Sequence, residues 1–496
     1  MRPTLILNIA GIFFAAFALS QGFAQAGGDK ATQALDAQSQ GDAESAFFGD
    51  EAPMSETQAA DKSSGLDQFL KGDQGARLSG CIKTDMGWNG GWVGADRWQG
   101  LGYPTQNWRD GFVGDFEGRV NLDARPAKEY RAKMSLKTAW PFEGEAVGAI
   151  PAPTGEPATI AVPNLKVWEL FADVNIKDAV FVRIGKQVSS WGLLGSAYSP
   201  SDVISLSPKD VTDLAAEREG PVALKVSVPA SAWNANFTGL VLARDEYFAA
   251  GQTWRELGYA AKGEVLVKYT EIGIGVFYQR SAAPKLVGTL TSGLGYLNLP
   301  FIRDVNIFSE SALAWGSDKN IGSGTSPTGA FAFLDKPDSG LYYQGSLGAR
   351  YSNSDLNYTI SIEYFYNGLG SNDGDYARRA YYTLVSGQPL DGRTMSLGDV
   401  LNPGMHNLTA LLTLTEIGGS KFGSLTIWQQ NLSDRSGWLR EKLTFDPWDY
   451  VSLYAGLDWV YGGGGTEFAI RNLDASTALP RRLSFFAGTT IGTGNF

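Results

Sequence analysis

Residues 355–367 read DLNYTISIEYFYN. Leu356, Tyr358, Ile360, Ile362, Tyr364 and Tyr366 fall on one side of an extended chain. Asp355, Asn357, Thr359, Ser361 and Glu363 fall on the other. Successive side chains of a strand point to opposite faces, so strict alternation marks a strand with one apolar and one polar face. The run is about twice the usual strand of ~5–6 residues. It is long enough to cross a bilayer at a tilt of ~45°. The same pattern returns at 129–140, 341–352 and 450–461, where Tyr130, Ala132, Met134, Leu136 and Trp140, for example, alternate with Glu129, Arg131, Lys133, Ser135 and Lys137. Aromatic residues gather near the segment ends: Tyr259 and Tyr269, Tyr343 and Tyr351, Trp459 and Tyr461. Amphipathic rings at both ends of an apolar face suit the two membrane–water interfaces. A soluble sandwich would have shorter strands and no need of such rings.

The fold class expected is all-β: a transmembrane antiparallel β-barrel of about 18 strands, within a range of 16–18. Alternation alone marks seventeen segments: 77–86, 111–122, 129–139, 165–174, 178–187, 220–229, 233–244, 257–268, 271–281, 304–315, 341–352, 355–367, 406–416, 422–431, 436–446, 450–461 and 482–495. An odd number would leave the two termini on opposite sides and put the connection 316–340 among the short turns. Residues 285–297 hold Leu286, Leu290, Leu294 and Tyr296 in phase and supply the eighteenth. The long connections, including 87–110, 188–219 and 368–405, then share one side, and turns such as 175–177 and 353–354 share the other.

Composition agrees and excludes other classes. The chain has 496 residues, 61 of them Gly, with a net charge of −11. One Cys cannot close an internal bridge, and one Cys with one His cannot make a Cys/His metal site. The acidic balance speaks against a nucleic-acid partner. No catalytic, cofactor or metal residues are expected. The single His, His406, is in phase with Leu408, Ala410, Leu412 and Leu414, which sets it at the membrane edge instead of near a substrate proton.

Ahead of the strands, Met1-Arg2-Pro3, an apolar stretch Thr4–Leu19 and Ala24-Gln25-Ala26 have the build of an export signal over residues 1–26. Residues 27–76 hold ten acids against three bases and read as an acidic, disordered periplasmic segment. The barrel is expected over 77–496.

A barrel of 16–18 strands encloses an aqueous channel unless a loop or plug fills it. Taken in the inward phase, thirteen bases face eleven acids, so the wall alone predicts little ion selectivity. Candidate lumen charges are Arg119, Arg131, Lys133, Glu129, Glu264, Arg350, Glu363 and Asp458. The connection 188–219 is the most distinctive. Gly192, Gly195, Pro200 and Pro208 punctuate it as an ordered loop, and Trp191 is a poor residue to leave in water. It is expected to fold into the lumen and narrow it. The candidates for the constriction are Arg183, Gln187, Trp191, Asp202, Asp210 and Arg218.

The order Gly185-Lys186-Gln187, Trp191-Gly192, Ser199-Pro200-Ser201-Asp202 and Arg218-Glu219-Gly220 resembles a group of uncharacterised bacterial outer-membrane barrels. In that group a Gly-(Lys/Arg)-Gln strand is followed by Trp-Gly and an Asn-Pro-x-Asp loop; here Ser199 stands where Asn is common. The resemblance implies a porin-like barrel in the outer membrane of a Gram-negative-type bacterium and names no substrate. It also implies recognition of the terminal Phe496 by the barrel-assembly machinery. Phe496 is out of phase with Leu483, Phe485, Ala487 and Ile491, so either a bulge near Gly492–Gly494 intervenes or the strand is one residue off. The expected partners are outer-membrane lipid, the assembly machinery and small solutes. The expected function is a passive channel for small hydrophilic solutes. The alternative is a barrel that only anchors a surface-assembly or polysaccharide- or lipid-binding protein, its pore closed by 188–219 and 368–405.

Overall fold

The structure is a computed structural model. It describes residues 75–93, 108–140, 146–150, 158–161, 165–193, 196–207, 209, 211–212, 218–243, 253–297, 302–353, 357–396, 399, 404–472 and 480–492. All of these lie in the unit that spans residues 60–496. The expected export signal, the acidic segment up to residue 74, Asp210 and Phe496 lie outside the described residues.

In chain order the strands are β1 (Gly75–Val93), β2 (Trp108–Ala127), β3 (Tyr130–Trp140), β4 (Ala146–Ile150), β5 (Ala158–Ala161), β6 (Lys166–Ile176), β7 (Val180–Lys186), β8 (Val222–Ala230), β9 (Ala235–Leu242), β10 (Gly258–Val267) and β11 (Thr270–Gln279). They continue as β12 (Ala282–Gly293), β13 (Val305–Trp315), β14 (Ile321–Ser323), β15 (Phe333–Asp335), β16 (Leu341–Asn353), β17 (Tyr358–Asn367), β18 (His406–Leu414), β19 (Phe422–Asn431), β20 (Ser436–Trp448), β21 (Val451–Tyr461) and β22 (Arg481–Gly492). The pairs β4–β5 and β14–β15 are separate hairpins in the long loops. The other strands form one 18-stranded sheet in which each pairs antiparallel with its neighbour, and β1 pairs with β22 to close it. Closure leaves no unpaired edge, which is what a sheet in hydrocarbon requires. The strand added by parity, 285–297, is β12, paired on one side with β11 and on the other with β13.

The alternation read at 355–367 becomes two faces. On β17, Ile360 and Ile362 are exposed outward, while Ser361, Glu363 and Phe365 are buried inward. Exposed rings ring both ends of the wall: Tyr130, Trp233, Tyr269, Trp448 and Tyr450 at the short-turn rim, and Trp254, Tyr278, Trp315 and Trp459 at the long-loop rim. Among the described residues no helix is long and apolar enough to cross a membrane.

The boundaries differ in places from the sequence reading. Gly75 and Ala76 already belong to β1. Glu129 lies in the turn between β2 and β3, not on the lumen wall. One connection at the short-turn rim, 294–304, is longer than its neighbours and opens with a 3-10 turn at Leu294–Leu297. The tight turn at Lys177–Asp178 has φ of 55° and 54°, the left-handed pair whose twist matches a hairpin.

The long loops are not featureless. Helix α1 (Tyr376–Ser386) packs Ala380, with Met395, against Phe331 and Leu334 of the β14–β15 region. Helix α2 (Glu467–Arg471) is tied to the wall, since Asn431 Nδ2 donates to Glu467 Oε2 at 2.8 Å. Together they form a small folded cap. Asp399 fastens it, accepting the backbone N–H and hydroxyl of Ser396 and the backbone and side-chain N–H of Asn320. Burial alone would raise the Asp399 carboxyl, but these donors outweigh it and hold it below the usual 3.8. A depressed carboxyl contributes fully above 3.8, and its contribution is lost as pH falls through the folded value. Amide protection at Asn320 and Ser396, followed by hydrogen exchange, is expected to fall in that acid window. It is expected to be lost at neutral pH in Asp399→Ala.

Candidate functional site

The loop between β7 and β8 leaves the wall through two glycines that no other residue could replace without rearrangement. Gly185 has φ of +130°, and a Cβ there would stand 2.1 Å from the Leu170 carbonyl oxygen. A Cβ at Gly220 would stand 1.8 Å from the Gln187 carbonyl oxygen. The loop ends therefore close tightly on each other. Gln187 N–H donates to Pro221 O at 3.2 Å, and Gln187 Nε2 donates to Ala223 O at 3.1 Å. Glu219 is clamped by Lys166 at 2.6 Å and Lys186 at 2.7 Å.

From this neck the loop turns inward and lies on the inner wall. Trp191 is 5% exposed and packs with Ile204 against Ala223, Leu240, Leu242, Ala260, Phe277, Val287 and Ala312 of β8 to β13. The hub inside the loop is Asp202, whose side chain is fully buried. It accepts from Ser190 Oγ at 2.6 Å, Trp191 N–H at 3.2 Å and Ser205 Oγ at 2.7 Å, and it pairs with Arg218. Arg218 also donates twice to Ser207 O, at 2.9 and 2.7 Å. Lys209 donates to Leu193 O and Ser199 Oγ, and burial pushes its ammonium below the usual 10.5.

Two carboxylates of the wall pin the loop. On β13, Glu310 accepts the Leu193 N–H at 2.8 Å, the Ser201 hydroxyl at 2.6 Å and the Ser201 N–H at 3.4 Å. On β17, Glu363 accepts the Ser196 hydroxyl at 2.8 Å, the Ala197 N–H at 2.5 Å and the Tyr198 N–H at 3.2 Å. Tyr198 then stacks on Phe365 at 4.5 Å and receives a hydrogen bond from Thr409 of β18. With Ala197, Leu411 and Ile427 it forms a second apolar cluster. The loop thus touches the inner face from β8 round to β19.

The residues singled out by sequence fall into distinct places. Gln187, Trp191, Asp202 and Arg218 hold the loop in shape, and Glu363 binds it to the wall. Arg183 pairs with Asp173 at 2.7 Å on the wall below. Other lumen charges neutralise one another: Arg131 with Asp123 at 2.8 Å, Lys133 with Glu169 at 3.0 Å, Glu264 with Lys262 at 2.6 Å, and Asp458 with Arg440 at 2.8 Å. Arg119 lies 5.9 Å from the Trp168 ring and Arg350 lies 5.9 Å from the Phe308 ring. His406 faces Tyr364 at the rim, with Nδ1 2.7 Å from the tyrosine oxygen.

Glu310 was missed by the sequence reading. Its signal was present. In 305–315 the inward phase is Asn306, Phe308, Glu310, Ala312 and Ala314, so that Glu310 is a lone acid with apolar residues on either side of it on that face. Leu240-Val241-Leu242 likewise is apolar on both faces. A barrel strand apolar on its inner side has something packed there.

No family model and no curated relative matches the chain. Among solved structures it is similar to OccAB1 of Acinetobacter baumannii, at 9% identity and a TM-score of 0.46, over 86% of this chain and 97% of that one. It is similar to OccK11 (OpdR) of Pseudomonas aeruginosa at 8% and 0.45, over 84% and 95%. A triple mutant of the Rhodopseudomonas blastica porin aligns at 9% and 0.34, over 84% and 99%.

Proposed function

We propose that this chain is an outer-membrane channel for passive passage of small hydrophilic solutes, narrowed by the loop 188–219. The observation that carries this reading is the closed 18-stranded wall, apolar outside and polar inside, with an ordered loop fastened to its inner face. A wall of that size leaves an aqueous path unless it is filled. The short-turn rim faces the periplasm and the long-loop rim faces out. Ion pairing along the lumen leaves discrimination to the geometry of the loop and to the wall it does not cover. The chemistry offered is passage and selection; no step of bond making is assigned.

The test is the single-channel conductance of the chain from residue 27 onward, refolded and inserted in planar bilayers, with and without residues 196–214. Steady conductance that rises on deletion is the expected result. A barrel silent in both forms would overturn the channel reading. It would favour the second one, a membrane anchor whose folded cap of α1, α2 and β14–β15 binds at the surface.

A further inference from the structure

A carboxylate stands on the outer, lipid-facing side of the wall. Glu441 of β20 occupies one register row with Leu412, Thr426, Leu457 and Phe485. The row above holds Trp428, Leu439 and Trp459, and the row below holds Ser424, Leu443 and Ala455. Phe422 and Phe445, stacked at 4.6 Å, come next. Two residues along a strand span about 6–7 Å, so Glu441 lies below the tryptophans and inside the apolar band.

Ser424 Oγ donates to Glu441 Oε1 at 2.6 Å, and Thr426 Oγ1 donates to Oε2 at 2.5 Å. An ionised carboxylate offers about four acceptor positions, and two remain. None of the residues in its row or in the rows directly above and below is Lys or Arg. Acyl chains supply no donor, so a carboxylate here is costly unless something else completes its shell.

We propose that the face formed by β18–β21 docks a membrane-embedded protein partner that brings a basic side chain to Glu441. Charge selects this occupant. A second copy meeting through the same face would bring another Glu441, whose two hydroxyl neighbours have already donated their protons. A lipid ammonium stays at headgroup level, above the Trp428–Trp459 row. The inference rests on the wall being lipid-facing, not on the pore being open.

The test places the chain from residue 27 onward in lipid nanodiscs with a fluorescent single-span peptide, a Leu/Ala helix carrying one Arg a few residues inside its apolar stretch. The control peptide has Leu at that position. Energy transfer from the barrel's tryptophans is expected to show about tenfold tighter association of the Arg peptide. That preference is expected to vanish in Glu441→Gln and Glu441→Leu, with heat-shifted gel mobility showing that both variants fold. Equal association of the two peptides with the unaltered chain would overturn the proposal. So would a preference that survives Glu441→Gln, or self-association that depends on Glu441. Failure of the chain to enter nanodiscs at all would strike the membrane reading instead.

Discussion

Replacing Glu310 and Glu363 together with alanine releases the constriction loop, and the single-channel conductance rises toward that of the loop-deleted barrel. The two carboxylates accept six hydrogen bonds from the backbone and hydroxyls of five loop residues, Leu193, Ser196, Ala197, Tyr198 and Ser201. Hydrogen bonds to a charged acceptor contribute about 1.5–3 kcal/mol each and do not simply add, so each site holds the loop by roughly 3–5 kcal/mol. Alanine also leaves the donors of the buried Ser196, Ala197, Tyr198 and Ser201 without these acceptors. The barrel wall survives, because its ladder of backbone bonds is untouched. Single substitutions are expected to give intermediate behaviour: brief excursions to the higher conductance, as one end of the loop lifts while the other stays fastened. Unchanged conductance in the double variant, with the wall folded, would show that the loop does not set the passage.

Trp191→Ala has the second large effect. The indole fills a niche in the inner wall with Ile204 on one side and Leu240, Ala260, Phe277 and Val287 on the other. Truncating a buried aromatic costs about 3–5 kcal/mol, through lost transfer energy and the cavity left behind. Here that cost falls on loop docking instead of on the wall. Trp191 also sets the position of Asp202, since its N–H donates to that carboxylate. The expected result is noisy open-channel current at unchanged barrel stability, read from current variance and from the heat-shifted gel mobility. Trp191→Phe keeps most of the packing and is expected to stay quiet.

How legible this was in the sequence differs from element to element. The alternation at 355–367 gave its faces directly, since a two-residue period leaves no freedom about which side chains share a side. Parity brought in 285–297 although its own pattern was weak, because a closed barrel with both ends on one side needs an even count. Loop 188–219 stood out through its Trp and its punctuation by Gly and Pro. The roles within it did not. Asp202 and Arg218 look in sequence like charges beside a solute path, and they are instead partners of each other. Sequence spacing cannot show that a carboxylate has its acceptors filled by Ser190, Trp191 and Ser205. The cap was read as plain connections, because its core joins Phe331, Ala380 and Met395 from two separate loops.

The chain's sequence by itself determined the membrane-spanning barrel, the number of strands, which residues face lipid and which loop enters the lumen. Each of these is a local periodicity or a count, and a strand's faces follow from covalent geometry. Only the tertiary structure decided what the inward charges do. Glu310 and Glu363 stand on strands far along the chain from Ser196 and Ser201, and closure of the sheet is what brings them within hydrogen-bond reach. A carboxylate's role depends on which donors surround it, and those donors arrive from across the barrel.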